Sequence, residues 1–159
     1  MKRTAFILLL LASVLTMRAQ TAQPTGRFQT LLEQFSDSTF VTCVRLGGQE
    51  VLLVSHETFC SDDSPQREAL AATLFTDDGT GHLLCLGSIR SQGTLYPISL
   101  LGDTLVTAGH QFVNFYEVKG HPADLYLTRV DEGERLEQGF VQFERATPLP
   151  FVRKAKSQD

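Results

Sequence analysis

Residues 84–118 read LCLGSIRSQGTLYPISLLGDTLVTAGHQFVNFYEV, and this stretch decides the fold class. Leu84 and Leu86 alternate with Leu83, Cys85 and Ile89, the period of two of a pleated strand. Ser91-Gln92-Gly93-Thr94 supplies a turn, and a second strand is expected over Leu95–Leu100. Leu101-Gly102-Asp103 turns again into a third strand from Thr104 to Thr107, and Ala108-Gly109 reads as a bulge or break. Gln111–Val118 then places Phe112, Asn114, Tyr116 and Val118 on one face and Val113, Phe115 and Glu117 on the other. Loops this short join antiparallel neighbours, because a parallel crossover takes about a dozen residues. Pro97 has no N–H for a ladder, so its strand is an edge or ends irregularly there.

Upstream, Thr39–Leu46 is rich in β-branched and apolar residues, Gly47-Gly48 is a hairpin signal, and Gln49–Ser55 returns. The alanines of Glu68–Thr76 suit a helix, but the segment alternates and leads through Asp77-Asp78-Gly79-Thr80-Gly81 into the strand at His82, so it reads mostly as strand. Downstream, Asp124–Val130 and Phe140–Glu144 read as strands, separated by an acidic connector over 131–139. Before all of these, Phe28, Leu31, Leu32 and Phe35 fall on one helical stripe within Arg27–Ser36. The expected fold is mainly β (α+β). It has an N-terminal helix packed on an antiparallel β-meander of about eight or nine strands, barrel-like or in two sheets.

The first residues follow the layout of a secretory signal peptide. Lys2 and Arg3 precede an apolar run from Ala5 to Leu15, and Ala19-Gln20 offers a small residue before a cut. That run is too short to span a bilayer, which takes about twenty residues. Cleavage is expected after Ala19, with Ala22 as the alternative because Met17 is large for its place. The expected organisation is a signal peptide over 1–19, a linker over 20–26, one domain over 27–146 and a flexible tail over 147–159. The mature chain has no transmembrane segment in this reading and lies in the periplasm or outside the cell. Losing Lys2, Arg3 and Arg18 moves the formal net charge from −4 to −7. An acidic chain of this kind lacks the basic stripe that a nucleic-acid partner requires.

Cys43, Cys60 and Cys85 are an odd number, so at most one internal bridge forms. Cys43 and Cys85 fall in expected strands, where a free cysteine behaves as a small buried hydrophobe, and no obligatory disulfide is expected.

Arg90, Gln92, Tyr96, His110 and Asn114 lie at the ends and faces of the central hairpins, where aromatic and hydrogen-bonding groups suit a small binding pocket. His56, Cys60 and Asp62 are of metal-ligand type but lack a helical His-x3-His spacing or a second close pair, so a metal site there is the alternative. Asp77–Gly81 lacks the alternating ligands and closing glutamate of a calcium loop. Four histidines are available for a catalytic triad, but no Gly-x-Ser-x-Gly elbow accompanies them, and no catalytic residue or cofactor is assigned.

The run Leu86-Gly87-Ser88-Ile89, then Ser91-Gln92-Gly93-Thr94-Leu95-Tyr96-Pro97-Ile98 and Ala108-Gly109-His110-Gln111-Phe112-Val113, resembles small secreted proteins of Bacteroidetes-type bacteria whose function is unassigned. The signal ending in Ala-Gln is similar to theirs. That resemblance implies export and supplies no catalytic residue. A short helix before a β-meander is also similar in outline to a lipocalin-like barrel, but the chain has no Trp for that family's Gly-x-Trp feature. The expected function is a non-catalytic binding or structural module for a small molecule or a protein. The alternative is a small secreted hydrolase or metal-dependent enzyme using histidines and acids.

Overall fold

A computed structural model describes Pro24 and residues 26–58, 69–92, 95–120, 125–130 and 136–154. The expected signal peptide lies outside the described residues.

The elements in order are α1 (Gly26–Leu32), β1 (Phe40–Leu46), β2 (Gln49–Thr58), β3 (Ala69–Asp77), β4 (Leu83–Arg90), β5 (Ser99–Leu101), β6 (Thr104–Gly109), β7 (Phe112–Lys119), β8 (Tyr126–Val130), α2 (Leu136–Arg145), β9 (Thr147–Pro148) and β10 (Val152–Arg153). They form two five-stranded sheets, ordered β10-β1-β2-β3-β4 and β8-β7-β6-β5-β9, with every pairing antiparallel. The strands do not close into a barrel, so of the two expected closures the structure has the two-sheet one.

The main core lies between the sheets. Phe40, Val44, Leu46, Val51, Leu53, Leu74 and Ile89 of the first sheet meet Leu105 of the second, with Leu100, Tyr116, Val118 and Leu127 partly buried against them. A second cluster covers the other face of the first sheet, where Phe28 and Leu32 of α1 pack on Val41, Cys43, Leu52 and Val54. The first sheet is therefore buried on both faces at β1 and β2. This is why Val51-Leu52-Leu53-Val54 is continuously apolar rather than alternating. Gly47 (φ 56°) and Gly48 (φ 84°) make the β1–β2 turn, where two positive φ values in a row match the strand twist. α1 ends at Leu32, short of the 27–36 stripe. Phe35 lies past its end and meets Phe75 edge-on at 6.0 Å between ring centroids.

Several expectations are corrected. Residues 140–144 are helical, inside α2, not a last strand. Val141-Gln142-Phe143-Glu144 alternates, but Leu136, Gly139, Phe140 and Phe143 repeat at helical spacing over the longer run. α2 lies on β5, β6 and β7, and Gly139 lets it come close: a Cβ there would stand 3.1 Å from Val113 Cβ. The segment 147–154 is not a loose tail. Leu149 and Phe151 are 4% and 1% exposed, and the chain leaves the edge of one sheet at Pro148 to join the edge of the other at Val152. Ala108 and Gly109 are regular ladder partners of Val113 and Phe112, so of the expected bulge or break the structure has the break, with β6 ending at Gly109. Cys85 is exposed on β4, not buried.

Candidate functional site

The expected strand over 95–100 is reduced to Ser99–Leu101, and the reason lies at Pro97. Continuing the Ser99–Val106 register by one ladder step sets Pro97 opposite Ala108. Proline has no N–H to give the Ala108 carbonyl. The chain leaving β4 takes over that role. Gln92 N–H donates to the Ala108 carbonyl at 2.8 Å, and Ser91 Oγ accepts the Ala108 N–H at 3.0 Å. The buried Ser91 hydroxyl also donates to the Tyr96 carbonyl, with the Ala108 carbonyl 3.1 Å away as a second acceptor. Two residues from the edge of one sheet thus complete a ladder in the other, and they place the 91–98 connection against the β6–β7 turn.

Three of the five candidate residues come together here. Gln92 Oε1 accepts the backbone N–H of His110 at 3.0 Å. The Tyr96 hydroxyl lies 3.3 Å from His110 Nδ1, and the two rings meet edge-on with centroids 5.3 Å apart. The hydroxyl donates when Nδ1 carries no proton. Behind Tyr96 stand Phe143 and Phe140 of α2, at 5.9 and 6.2 Å between ring centroids. His110 is exposed and Tyr96 half-buried, so the polar edge of the cluster faces solvent while its aromatic body rests on the helix.

The other two candidates sit elsewhere. Arg90 pairs across the ladder with Ala71, next to the Ile89–Ala72 pair that faces the core between the sheets. Alternation therefore turns Arg90 to the opposite face of the first sheet. Asn114 is half-buried on β7 opposite Thr107, on the inner face of the second sheet.

Residues that matter here and escaped the sequence reading are Ser91, Gly109, Phe140 and Phe143. Gly109 holds a close approach: a Cβ at this position would stand 2.4 Å from both Gln92 Oε1 and Phe112 Cε1. Its signal in the sequence was the glycine itself, read as a bulge or break. The signal for Phe140 and Phe143 was their helical spacing with Leu136 and Gly139, which a strand over 140–144 passes over.

Of the alternative metal set, Cys60 and Asp62 lie outside the described residues, as does the His56 side chain; the backbone of residue 56 falls where the β2–β3 register slips. Among the described residues, no three of His, Cys, Asp and Glu converge as metal ligands. In the Asp77–Gly81 turn the carboxylates serve the turn itself. Asp77 Oδ1 accepts the N–H of Gly79 at 2.7 Å. Asp78 Oδ1 accepts the Thr80 hydroxyl at 2.6 Å, the Thr80 N–H at 2.8 Å and the His82 N–H at 3.2 Å. The Thr80 hydroxyl, followed by the backbone donors, holds the Asp78 carboxyl below its ordinary range.

Comparison with protein-family models, with curated proteins and with solved structures finds no match to this chain.

Proposed function

We propose that this protein is an exported, non-catalytic binding or structural module, and that Gln92, Tyr96 and His110 form the rim of its ligand-facing site. The single observation behind the binding reading is the convergence of these groups. A carboxamide, a phenol and an imidazole from two separate connections meet at His110, and the phenol ring rests on two phenylalanines of α2. Such a rim offers hydrogen-bond donors and acceptors beside an apolar surface, which suits recognition of a small polar molecule or a peptide. Export rests on the basic, apolar and small-residue layout of residues 1–19. In this reading the mature chain begins at Gln20, and α1 belongs to the folded domain rather than to a leader. Among the described residues no helix is long and apolar enough to cross a membrane.

Two measurements test the proposal. Protein isolated from its host should begin at Gln20 or Gln23; intact Met1 in the cytoplasmic fraction would remove the export claim. NMR spectra of the ¹⁵N-labelled protein should be titrated with monosaccharides, amino acids and short peptides. A ligand of the rim shifts the Gln92 and His110 amides in the native protein and loses its effect in Tyr96→Phe and His110→Ala. If no compound moves these amides, the structural-module reading stands in place of the binding one.

A further inference from the structure

A strand at a sheet edge leaves a row of N–H and C=O groups facing outward, a template for another strand. Among the described strands, β10 and β4 stand at the edges of the first sheet and β8 and β9 at those of the second. β9 and β10 are two residues each and belong to the segment over 147–154. β8 has five residues, Arg129 among them. β4 has eight, Leu83–Arg90, with no proline and no charge before Arg90. Among the described residues no strand pairs with its outer edge. β8 comes near it from the second sheet, with Leu127 beside Gly87 on the core side, but its ladder is with β7. Cys85, Ser88 and Arg90 are exposed and share the outer face of the first sheet. The ladder to β3 passes over Leu86, so Leu86 and Gly87 together count as one step.

We propose that β4 pairs antiparallel with β4 of a second copy of this chain, about a twofold axis at Cys85, joining their five-stranded sheets edge to edge. With the double step at Leu86-Gly87 counted, Cys85 stands against Cys85, Leu84 against Leu86, Ser88 against Leu83 and Arg90 against Gly81 of the other copy. The faces agree. Cys85, Ser88 and Leu83 fall on the outer face of the joined sheet, and Leu84 and Leu86 on the inner one. Arg90 of each copy then meets the 77–81 turn of the other. That turn carries Asp77 and Asp78 against one permanent cation, Arg27, which lies 3.5 Å from Asp77 Oδ2. An uncharged strand with carboxylates before it and a cation at its end is its own complement when reversed. This is why the occupant is a second copy, and the charge match recurs twice at the twofold interface. The pairing involves no residue of the Tyr96–His110 rim and does not depend on export.

The test uses the purified full chain carrying Cys60→Ser, which leaves exposed Cys85 and buried Cys43 as its thiols. Sedimentation equilibrium should find a reversible dimer. Arg90→Glu should weaken it about tenfold, since two charge contacts are lost together. Ser88→Lys puts a charge into the uncharged row, weakens the dimer likewise, and serves if Arg90→Glu does not fold. Opposed residues of an antiparallel pair have Cα atoms about 4.5–5.5 Å apart, within disulfide reach. Diamide, added under native conditions, takes two electrons and two protons from the opposed Cys85 thiols. A dimer held by one S–S bond is therefore expected on a non-reducing gel, and none in Cys85→Ser. A monomer at every concentration up to that of an NMR sample overturns the proposal. So does a dimer that Arg90→Glu and Ser88→Lys leave undiminished, or one whose Cys85 thiols diamide does not join. Each of these results leaves the rim reading intact.

Discussion

The Lys154 ammonium lies 2.6 Å from the Phe35 carbonyl oxygen, joining the last described residue of the chain to the segment just after its first helix. Its side chain is only 7% exposed, and Asp37 Oδ1 stands 3.6 Å away at the surface. The Lys154 backbone N–H donates to the Thr39 carbonyl at 2.8 Å. This clamp holds the 147–154 strap, whose Leu149 and Phe151 plug the side where the two sheets' edges meet.

Lys154→Met keeps the apolar stem and removes the charged donor. It should lower stability by about 1.5–3 kcal/mol in urea denaturation, the range for a hydrogen bond to a charged group. Asp37→Asn, which weakens only a surface ion pair, should cost less than about 1 kcal/mol. Equal, negligible effects from both would show that the strap is held by Leu149 and Phe151 alone.

Gly109→Ala should cost about 1–3 kcal/mol, because the new methyl group displaces Gln92 or Phe112 from positions 2.4 Å away. The backbone at 109 is not among the positive-φ glycines, so contact and not φ sets the penalty. Hydrogen exchange at the His110 amide reads the cause directly. Its protection should fall as Gln92 Oε1 is pushed aside, and unchanged protection with full stability would contradict the close approach.

Cys43, Leu52, Phe75 and Cys85 are successive cross-strand partners on β1 to β4. Three strand spacings put the two cysteines roughly 14 Å apart, beyond the ~7 Å limit between Cα atoms for a disulfide. They cannot bridge each other. Burial, with Glu50 adding to it, pushes the Cys43 thiol up to about 12 from an ordinary 9.0, so it stays protonated and unreactive at neutral pH. Maleimide at pH 7 should therefore label Cys85 in the native protein and Cys43 only after unfolding. Raising the pH above 9.0 draws the unfolded state's thiolate out first, so stability should decline between there and about 12. Native labelling of Cys43 as fast as Cys85 would argue against its burial.

Leu32→Ala should destabilise the domain by about 2–5 kcal/mol, the cost of truncating a buried leucine. Gln29, exposed on the same helix, should tolerate alanine within about 0.5 kcal/mol. The contrast tests whether α1 belongs to the packed domain. If both changes are silent, α1 contributes nothing to the core on β1 and β2.

The residues by themselves carried the β-rich class, the Gly47-Gly48 hairpin, the 77–81 turn and most strands up to Val130, because each rests on local patterning. Alternation fixes a strand's faces, and consecutive positive-φ glycines fix a tight turn, wherever the segment finally lies. Phe140–Glu144 is too short a window to decide: five residues fit either period, the helical repeat shows only once Leu136 and Gly139 are counted, and Gly139 then packs against Val113 on the second sheet. The strap over 147–154 was equally hidden, since two prolines and a basic end look like a tail until Leu149 and Phe151 find the core. The site followed the same division. Gln92, Tyr96 and His110 were legible as polar and aromatic groups at hairpin ends. Their meeting depends on Pro97 breaking a ladder and Ser91-Gln92 completing it across the sandwich, which joins residues eighteen apart in the chain. Arg90 and Asn114 were separated by the same tertiary fact. The pleat of one sheet turned Arg90 away from the second sheet, and the pleat of the other turned Asn114 toward the first, a choice of faces that local sequence does not encode.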